Sequence, residues 1–296
     1  MKILKILYYA FLNTPNFYRS IFGYNIKNNL IKNKSSELNI EYWNIEEIIL
    51  ILYNFFLIKL PFHCPSWMPN IIKTIFFGTN SKYIKNDKEL DKDNNCFIFI
   101  NGVLGTEKFV NYSKLELELL LDKPINVLFN ASDTLIIDLI EALIGKETEQ
   151  LTEASTIALY TICSKLLDEN INKVIIIAYS QGTIVIAKVL NSLHKLGLDK
   201  IKYLSKLEIY CFSNCASNMK YLNNNLPYME HFANENDFVA KLGCNCPKEI
   251  QNLISIDGNI FINKNGTGHM LNSHYLNNFS YNYPLSKLNN YIKKIN

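Results

Sequence analysis

One serine of this chain lies in a setting that suits a catalytic nucleophile. The β-branched run at residues 174–178 predicts a buried strand, and the apolar run at residues 184–190 predicts a helix. Ser180 lies in the short turn between them, and Ala178 and Gly182 on either side leave room for a tight turn. At a helix N-terminus, free backbone N–H groups can stabilise an oxyanion beside the serine. We predict that Ser180 is a nucleophile; a turn between a core strand and a core helix, without chemistry, is the alternative.

A serine nucleophile needs a base to take its proton and a carboxylate to orient that base. Asp237 and His269 follow Ser180 in the sequence, each where a strand-like run ends in a loop. We favour them as acid and base, with His274 as the alternative base. The competing acids are Glu235 and, less well placed, Asp257, which suits a turn. The remaining histidines are weaker candidates: His63, His194 and His231.

These residues resemble the α/β-hydrolase superfamily, and within it the lipases and esterases. Residues 178–182, Ala-Tyr-Ser-Gln-Gly, are similar to the nucleophile turn of cutinases, in which Gly-Tyr-Ser-Gln-Gly is usual. Asn-Asp-Phe-Val at residues 236–239 resembles the acid loop of lipases, and Gly-His at residues 268–269 matches a pair that often carries the base. The order Ser, Asp, His is that of the family. Alanine in place of the first glycine and the lack of a cutinase disulfide pattern are departures.

The resemblance also implies an oxyanion hole made by two backbone N–H groups. The predicted strand at residues 96–100 runs into Asn101-Gly102, at the place where lipases often have a His-Gly pair. We therefore predict that the N–H groups of Val103 and Gln181 bind the oxyanion. An ordinary Asn-Gly turn is the alternative for this loop.

The function that the resemblance implies is hydrolysis of carboxylic esters through an acyl-enzyme on Ser180. The expected substrates are small-molecule or lipid esters, with acylglycerol and phospholipid foremost. Two alternatives stay open: a non-catalytic α/β-hydrolase-fold protein that binds a lipid or a protein partner, and a thioesterase, acyltransferase or peptidase with the same triad. No cofactor and no metal ion are expected, because Cys244 and Cys246 are too closely spaced for a zinc site and no second pair completes them.

The order of the predicted elements indicates an α/β-hydrolase fold, with a mostly parallel central sheet and helices on both faces. The chain of 296 residues has room for one large domain. We predict a catalytic domain at residues 93–296, preceded by a mainly helical N-terminal extension or cap at residues 1–92, with a solvated linker at residues 82–95. Further helices are predicted at residues 113–121, 135–143 and 152–167. A closing helix is predicted after Pro284, with these residues on one face: Leu285, Leu288, Ile292 and Ile295.

Composition bears on partners and location. A net charge of +3 and the lack of basic runs interleaved with aromatic residues argue against nucleic acid. Seven cysteines, an odd number, suggest reduced thiols and an intracellular protein. The uncharged stretch at residues 48–58 is shorter than the roughly 20 residues of a membrane span. With Trp67, Phe76, Phe77 and an amphipathic helix at residues 1–12, it predicts peripheral membrane contact through the N-terminal region; core burial is the alternative.

Overall fold

The chain is described by a computed structural model. It covers residues 2–24, 27, 33–37, 39, 41, 80–103, 106–131 and 151–293. Several predictions therefore fall outside the described residues. These are the apolar stretch at residues 48–58, the helix at residues 135–143, and the side chains of His63, Trp67, Phe76 and Phe77.

Seven strands of the described residues form one sheet. In chain order, the strands of the molecule are β1 (Lys82–Ile84), β2 (Asn95–Ile100), β3 (Ile125–Phe129), β4 (Lys173–Tyr179), β5 (Leu207–Phe212), β6 (Asn218–Met219), β7 (Tyr228–Asn234), β8 (Ser255–Ile256) and β9 (Asn259–Asn263). The sheet has the order β1-β3-β2-β4-β5-β7-β9, and only the β1–β3 pair is antiparallel. The short strands β6 and β8 pair with each other in parallel.

Helices cover both faces of this sheet. They are α1 (Lys2–Leu12), α2 (Phe17–Phe22), α3 (Glu107–Leu121), α4 (Glu153–Leu167), α5 (Gly182–Lys195), α6 (Ile201–Leu204), α7 (Phe238–Lys241) and α8 (Phe279–Asn282). There are also 3-10 helices at Lys248–Leu253 and Lys287–Tyr291, and a π-helical turn at Leu271–Leu276. No helix within this described part of the chain combines the length and apolar character needed to cross a membrane.

The central strands are buried on both sides, which explains their continuous apolar sequences. In β2, Ile98 and Ile100 pack into the core beneath α4 and α5, whereas Phe97 and Phe99 pack into the opposite core beneath α3. The predicted α/β class is confirmed, with its mostly parallel sheet and helices on both faces. The division into two domains stays a prediction; Ile6 and Ala10 of α1 belong to the same core as α4 and α5.

The sheet order has a topological switch point, and in sheets of this kind ligands bind at such a point, outside the carboxyl ends of the strands. β3 and β4 lie on opposite sides of β2, so the loops after β2 and β4 diverge at a topological switch point. The loops that carry Asn101, Ser180 and Asp237 follow β2, β4 and β7, and the loop with His269 follows β9. Because these strands are parallel, all four loops emerge at the same end of the sheet, where the carboxyl ends of the strands lie.

The prediction of a solvated linker at residues 82–95 was wrong in part. Lys82–Ile84 forms the edge strand β1, which pairs antiparallel with β3. A hydrogen bond holds the second half of the segment, since the Oδ1 atom of Asp91 accepts from the N–H of Asn95 at 2.8 Å. Polar composition indicated exposure, but backbone pairing at a sheet edge does not require apolar side chains.

The closing helix predicted after Pro284 was also wrong. Leu288 is buried, but Leu285 is 84% exposed, so the two do not share a buried face. The buried carboxylate of Glu230 determines the path of the chain here: it accepts from the Ser286 hydroxyl group at 2.5 Å and from the N–H of Lys287 at 2.7 Å. These bonds to a distant strand favour a short 3-10 helix over a regular one.

Candidate active site

Ser180 lies at a strained turn between β4 and α5. Its φ of +53° is in the left-handed region, which is uncommon for a residue other than glycine. The N–H of Ser180 donates to the carbonyl of Phe212 at 3.0 Å, and the Thr183 hydroxyl group donates to the carbonyl of Ser180 at 2.6 Å. These bonds hold the serine in a conformation that its own preference disfavours. Such strain is concentrated at functional sites.

Close packing explains the small residues around this serine. A Cβ atom on Gly182 would lie 2.5 Å from the carbonyl oxygen of Ile100, and one on Gly102 would lie 2.7 Å from the Cβ atom of Ser180. The first contact joins the start of α5 to the end of β2. The second brings the predicted oxyanion loop against the serine itself.

The structure brings Ser180, His269 and Asp237 together in one line of hydrogen bonds. The Oγ atom of Ser180 lies 3.1 Å from Nε2 of His269, and Nδ1 of His269 lies 3.0 Å from Oδ2 of Asp237. All three residues are buried. With the proton of the imidazole on Nδ1, Nε2 can accept the proton of the serine hydroxyl group.

The carboxylate of Asp237 is held by further donors. Its Oδ2 atom accepts from the hydroxyl groups of Ser213 at 2.6 Å and Tyr275 at 2.5 Å, and its Oδ1 atom accepts from the N–H of Val239 at 2.8 Å. Burial alone would raise the pKa of Asp237, but the imidazole of His269 and these hydroxyl donors outweigh it and lower that pKa. The carboxylate therefore stays ionised near neutral pH and can stabilise an imidazolium.

Neither Ser213 nor Tyr275 was anticipated as part of the site. Ser213 directly follows β5 and so emerges at the same edge of the sheet as the other loops, which is a signal that the sequence contained. Its hydroxyl oxygen also lies 3.0 Å from Nδ1 of His269. Tyr275 offered no comparable signal, because only the folded chain brings its hydroxyl group to Asp237.

The ring of His269 is held in place by an aromatic neighbour. Tyr179, the residue before the serine, stacks on the imidazole with ring centroids 5.0 Å apart. Its hydroxyl group donates to the carbonyl of His269 at 3.0 Å. Burial raises the pKa of Tyr179 well above its ordinary value, so the phenol keeps its proton and remains a donor.

Asparagine side chains brace the predicted oxyanion loop. The Asn101 amide donates to the carbonyl of Gly102 at 2.9 Å and accepts from the N–H of Asn130 at 2.8 Å. The Asn130 amide in turn donates to Oε1 of Gln181 at 2.7 Å. Within the described residues, the backbone N–H groups of Val103 and Gln181 donate to no other group. Their role as oxyanion donors stays a prediction.

The structure joins His269, not His274, to Ser180. His274 accepts from the N–H of Met270 at its Nδ1 atom, at 3.0 Å, and its ring packs against Gly23 and Gly268. A Cβ atom on either glycine would lie 2.5 Å from the ring. Burial lowers the pKa of His274 to about 4, so the ring is neutral near pH 7.

The other weighed candidates have separate partners. Glu235 accepts from the N–H of Asn265 at 2.7 Å, and Asp257 accepts from the N–H of Tyr221 at 2.9 Å. His231 is buried between Asn214 and the carbonyl of Asp257, and the exposed His194 lies 2.8 Å from Asp199. In the described parts of the chain, no group of three or more His, Cys, Asp or Glu residues could hold a metal ion.

The buried histidines predict a loss of stability in mild acid. Burial lowers the pKa values of His231 and His274 to about 4 from an ordinary 6.5. Between these values the unfolded chain binds protons that the folded chain does not, so the stability is complete above about pH 6.5 and falls as the pH drops toward 4. At about 1.4 kcal/mol per pKa unit, we expect a loss of about 3 kcal/mol for each histidine.

Denaturant unfolding between pH 7.5 and 4 tests this expectation. His231→Gln should remove about half of the pH dependence that the two buried histidines contribute, because only His274 is then left of the pair to take up a proton on unfolding. His194→Gln is the matched control, since that side chain is 70% exposed. A free energy of unfolding that does not change between pH 6.5 and 4.5 would contradict the prediction.

Comparison with protein-family models, curated proteins and solved structures finds no match for this chain.

Proposed function

We propose that this protein is a serine hydrolase that cleaves carboxylic esters through an acyl-enzyme on Ser180. The observation that carries the proposal is the line of hydrogen bonds from Ser180 through His269 to Asp237, with distances of 3.1 and 3.0 Å. Nucleophile, base and orienting acid in this arrangement match the catalytic triad of serine hydrolases, and their order along the chain is that of the α/β-hydrolase superfamily. The strand, sharp turn and helix around Ser180 are the context that this motif requires.

The proposed reaction has two halves. In the first, the Oγ atom of Ser180 attacks the ester carbonyl carbon while Nε2 of His269 takes the hydroxyl proton, and Asp237 stabilises the imidazolium. The oxyanion is bound by the N–H groups of Val103 and Gln181; when the intermediate collapses, the alcohol leaves with the proton from His269. In the second half, His269 activates a water molecule that attacks the acyl-enzyme, releases the carboxylic acid and returns the proton to Ser180.

The principal alternative is a protein of the same fold that binds a lipid or a partner without catalysis. The backbone strain at Ser180 and the three donors around Asp237 favour an enzyme over this alternative. Binding alone needs neither an ionised buried carboxylate nor an imidazole aligned with a serine. A thioesterase or an acyltransferase would use the same groups, and differs from an esterase only in the substrate or acceptor.

A lipid ester is the substrate class that the surface near the N-terminus favours. On α1, four large apolar side chains are exposed: Leu4 by 70%, Tyr8 by 60%, Phe11 by 60% and Leu12 by 57%. No acidic residue precedes Glu37 in the sequence, whereas Lys5 and Arg19 are exposed. An apolar helix face with basic neighbours suits contact with an anionic membrane surface.

A panel of substrates tests both parts of the proposal. We expect turnover of p-nitrophenyl esters, with triglyceride and phospholipid cleaved faster than acyl-CoA. Preference for acyl-CoA would identify a thioesterase, and no turnover of any substrate would favour the binding protein.

Replacing Leu4, Tyr8 and Phe11 together with glutamate should lower activity on anionic phospholipid vesicles about tenfold, with a soluble short ester as the control. Equal loss on both substrates would argue against membrane contact.

A further inference from the structure

A carboxylate from the N-terminal region holds the helical turn that follows the proposed base. The Oε1 atom of Glu37 accepts from the N–H of Asn272 at 2.6 Å. Its Oε2 atom accepts from the N–H of Ser273 at 3.2 Å and from the Ser273 hydroxyl group at 2.9 Å. These N–H groups lie at the start of the π-helical turn Leu271–Leu276. The first N–H groups of a helix have no carbonyl partner within it, so they need an acceptor from elsewhere. Glu37 thus joins this turn to a segment 235 residues earlier in the chain.

The backbone of the base residue is bonded to the same region. The N–H of His269 donates to the carbonyl of Ile21 at 2.8 Å. The region also contacts the acid loop, because the ring of Phe17 lies 5.0 Å from that of Phe238, the neighbour of the proposed acid. Residues far ahead of the triad in sequence therefore touch both loops that supply its base and its acid.

Burial opposes the charge of Glu37. The residue is only 9% exposed. Burial raises the pKa of Glu37 above its ordinary value even though the donors of Asn272 and Ser273 lower it. A carboxylate that is harder to ionise in the folded than in the unfolded chain costs free energy at neutral pH. What the side chain supplies is orientation, since its two oxygens bind donors on consecutive residues.

We propose that Glu37 is a positioning residue for His269. Its contact with Asn272 and Ser273 fixes the loop so that Nε2 of His269 faces Ser180 while Nδ1 keeps its bond to Asp237. The effect of Glu37 on the reaction rate rests on the proposed function, whereas its effect on the orientation of His269 does not. A loop displaced by even 1 Å would misplace the base, and displacements of that size can cost about 100-fold in rate.

Two readouts on the full-length protein test this proposal. The first is the rate at which a fluorophosphonate probe labels Ser180. The second is the proton NMR signal of the His269 Nδ1–H in protein labelled with ¹⁵N-histidine, which is shifted downfield while that proton is bonded to a carboxylate. The variants are Glu37→Ala, which removes both acceptors, and Glu37→Gln, which keeps the volume and one acceptor. Glu116→Gln is the matched control, because Glu116 lies beside Ser35 of the same region and, among the described residues, makes no hydrogen bond to the base loop.

We expect labelling to slow about 30-fold in Glu37→Ala and about fivefold in Glu37→Gln, with loss or broadening of the Nδ1–H signal. The control variant should match the wild type in both readouts. A folded Glu37→Ala protein with wild-type labelling and a wild-type signal would overturn the proposal. If that variant does not fold, wild-type values for Glu37→Gln in both readouts would overturn it equally. If the wild type itself is not labelled, the proposed function fails, and loss of the Nδ1–H signal in the variants would still support positioning.

Discussion

Replacing Ser180 with alanine is expected to lower kcat/KM for a soluble ester by at least about 10⁴-fold. The change removes the only group that the proposed reaction bonds covalently to the substrate. Loss of the hydroxyl group also removes one hydrogen bond to His269, but the backbone bonds of the turn to Phe212 and Thr183 do not involve it. We therefore expect thermal unfolding within a few degrees of the wild type.

Ser155→Ala is the matched control for this substitution. Ser155 is fully buried on α4, and its hydroxyl group bonds Thr152 at the start of that helix. Loss of this hydroxyl group should cost about 1 kcal/mol of stability and leave kcat/KM within twofold. Full esterase activity in a folded Ser180→Ala protein would show that another residue is the nucleophile.

Asparagine in place of His269 is expected to lower kcat/KM about 10³-fold or more, whereas the same change at His274 is expected to cost less than tenfold. An asparagine amide can occupy the place of the Nδ1 atom of an imidazole but has nothing at Nε2. At position 269 it can still donate to Asp237, but no base faces Ser180. At position 274 its oxygen can still accept from the N–H of Met270, which keeps one of the bonds that the imidazole makes there.

Steady-state kinetics and thermal melts of His269→Asn and His274→Asn test these two expectations. His274→Asn should lose about 1 to 2 kcal/mol of stability, because a buried ring that packs on two glycines is replaced by a smaller side chain. The reverse pattern of kinetic effects would make His274 the base and contradict the geometry.

The sequence predicted the strand, sharp turn and helix around Ser180 because their signals are local. A β-branched strand, a serine between small residues and an apolar helix follow one another within a short stretch, and each has a physical reason in the fold. Gly182 is needed where α5 approaches the end of β2, and the positive φ of Ser180 marks the sharp turn. The alternation of strands and helices predicted the α/β class for the same reason, since it depends on neighbours in sequence.

What the sequence could not predict is the set of contacts between distant segments. The hydroxyl group of Tyr275 reaches Asp237, and the carboxylate of Glu37 reaches Ser273, only because of how loops meet at the edge of the sheet. The prediction of a closing helix was wrong for the same reason: Glu230, on strand β7, binds Ser286 and determines the path of the chain there. Local sequence patterns cannot show that a side chain from a distant segment will bind the backbone and change its local structure.

Labelling of Ser180 by a fluorophosphonate probe at neutral pH is the most direct test of the central claim. The probe bonds only to a serine whose hydroxyl group is activated by a base, so the reaction needs the alignment with His269 and not the natural substrate. Digestion and mass spectrometry would locate the adduct. We expect one phosphonyl group for each protein molecule, on the peptide that contains Ser180, and none on a protein unfolded before the probe is added. A folded wild-type protein that takes up no probe, or takes it up on another residue, would contradict the account.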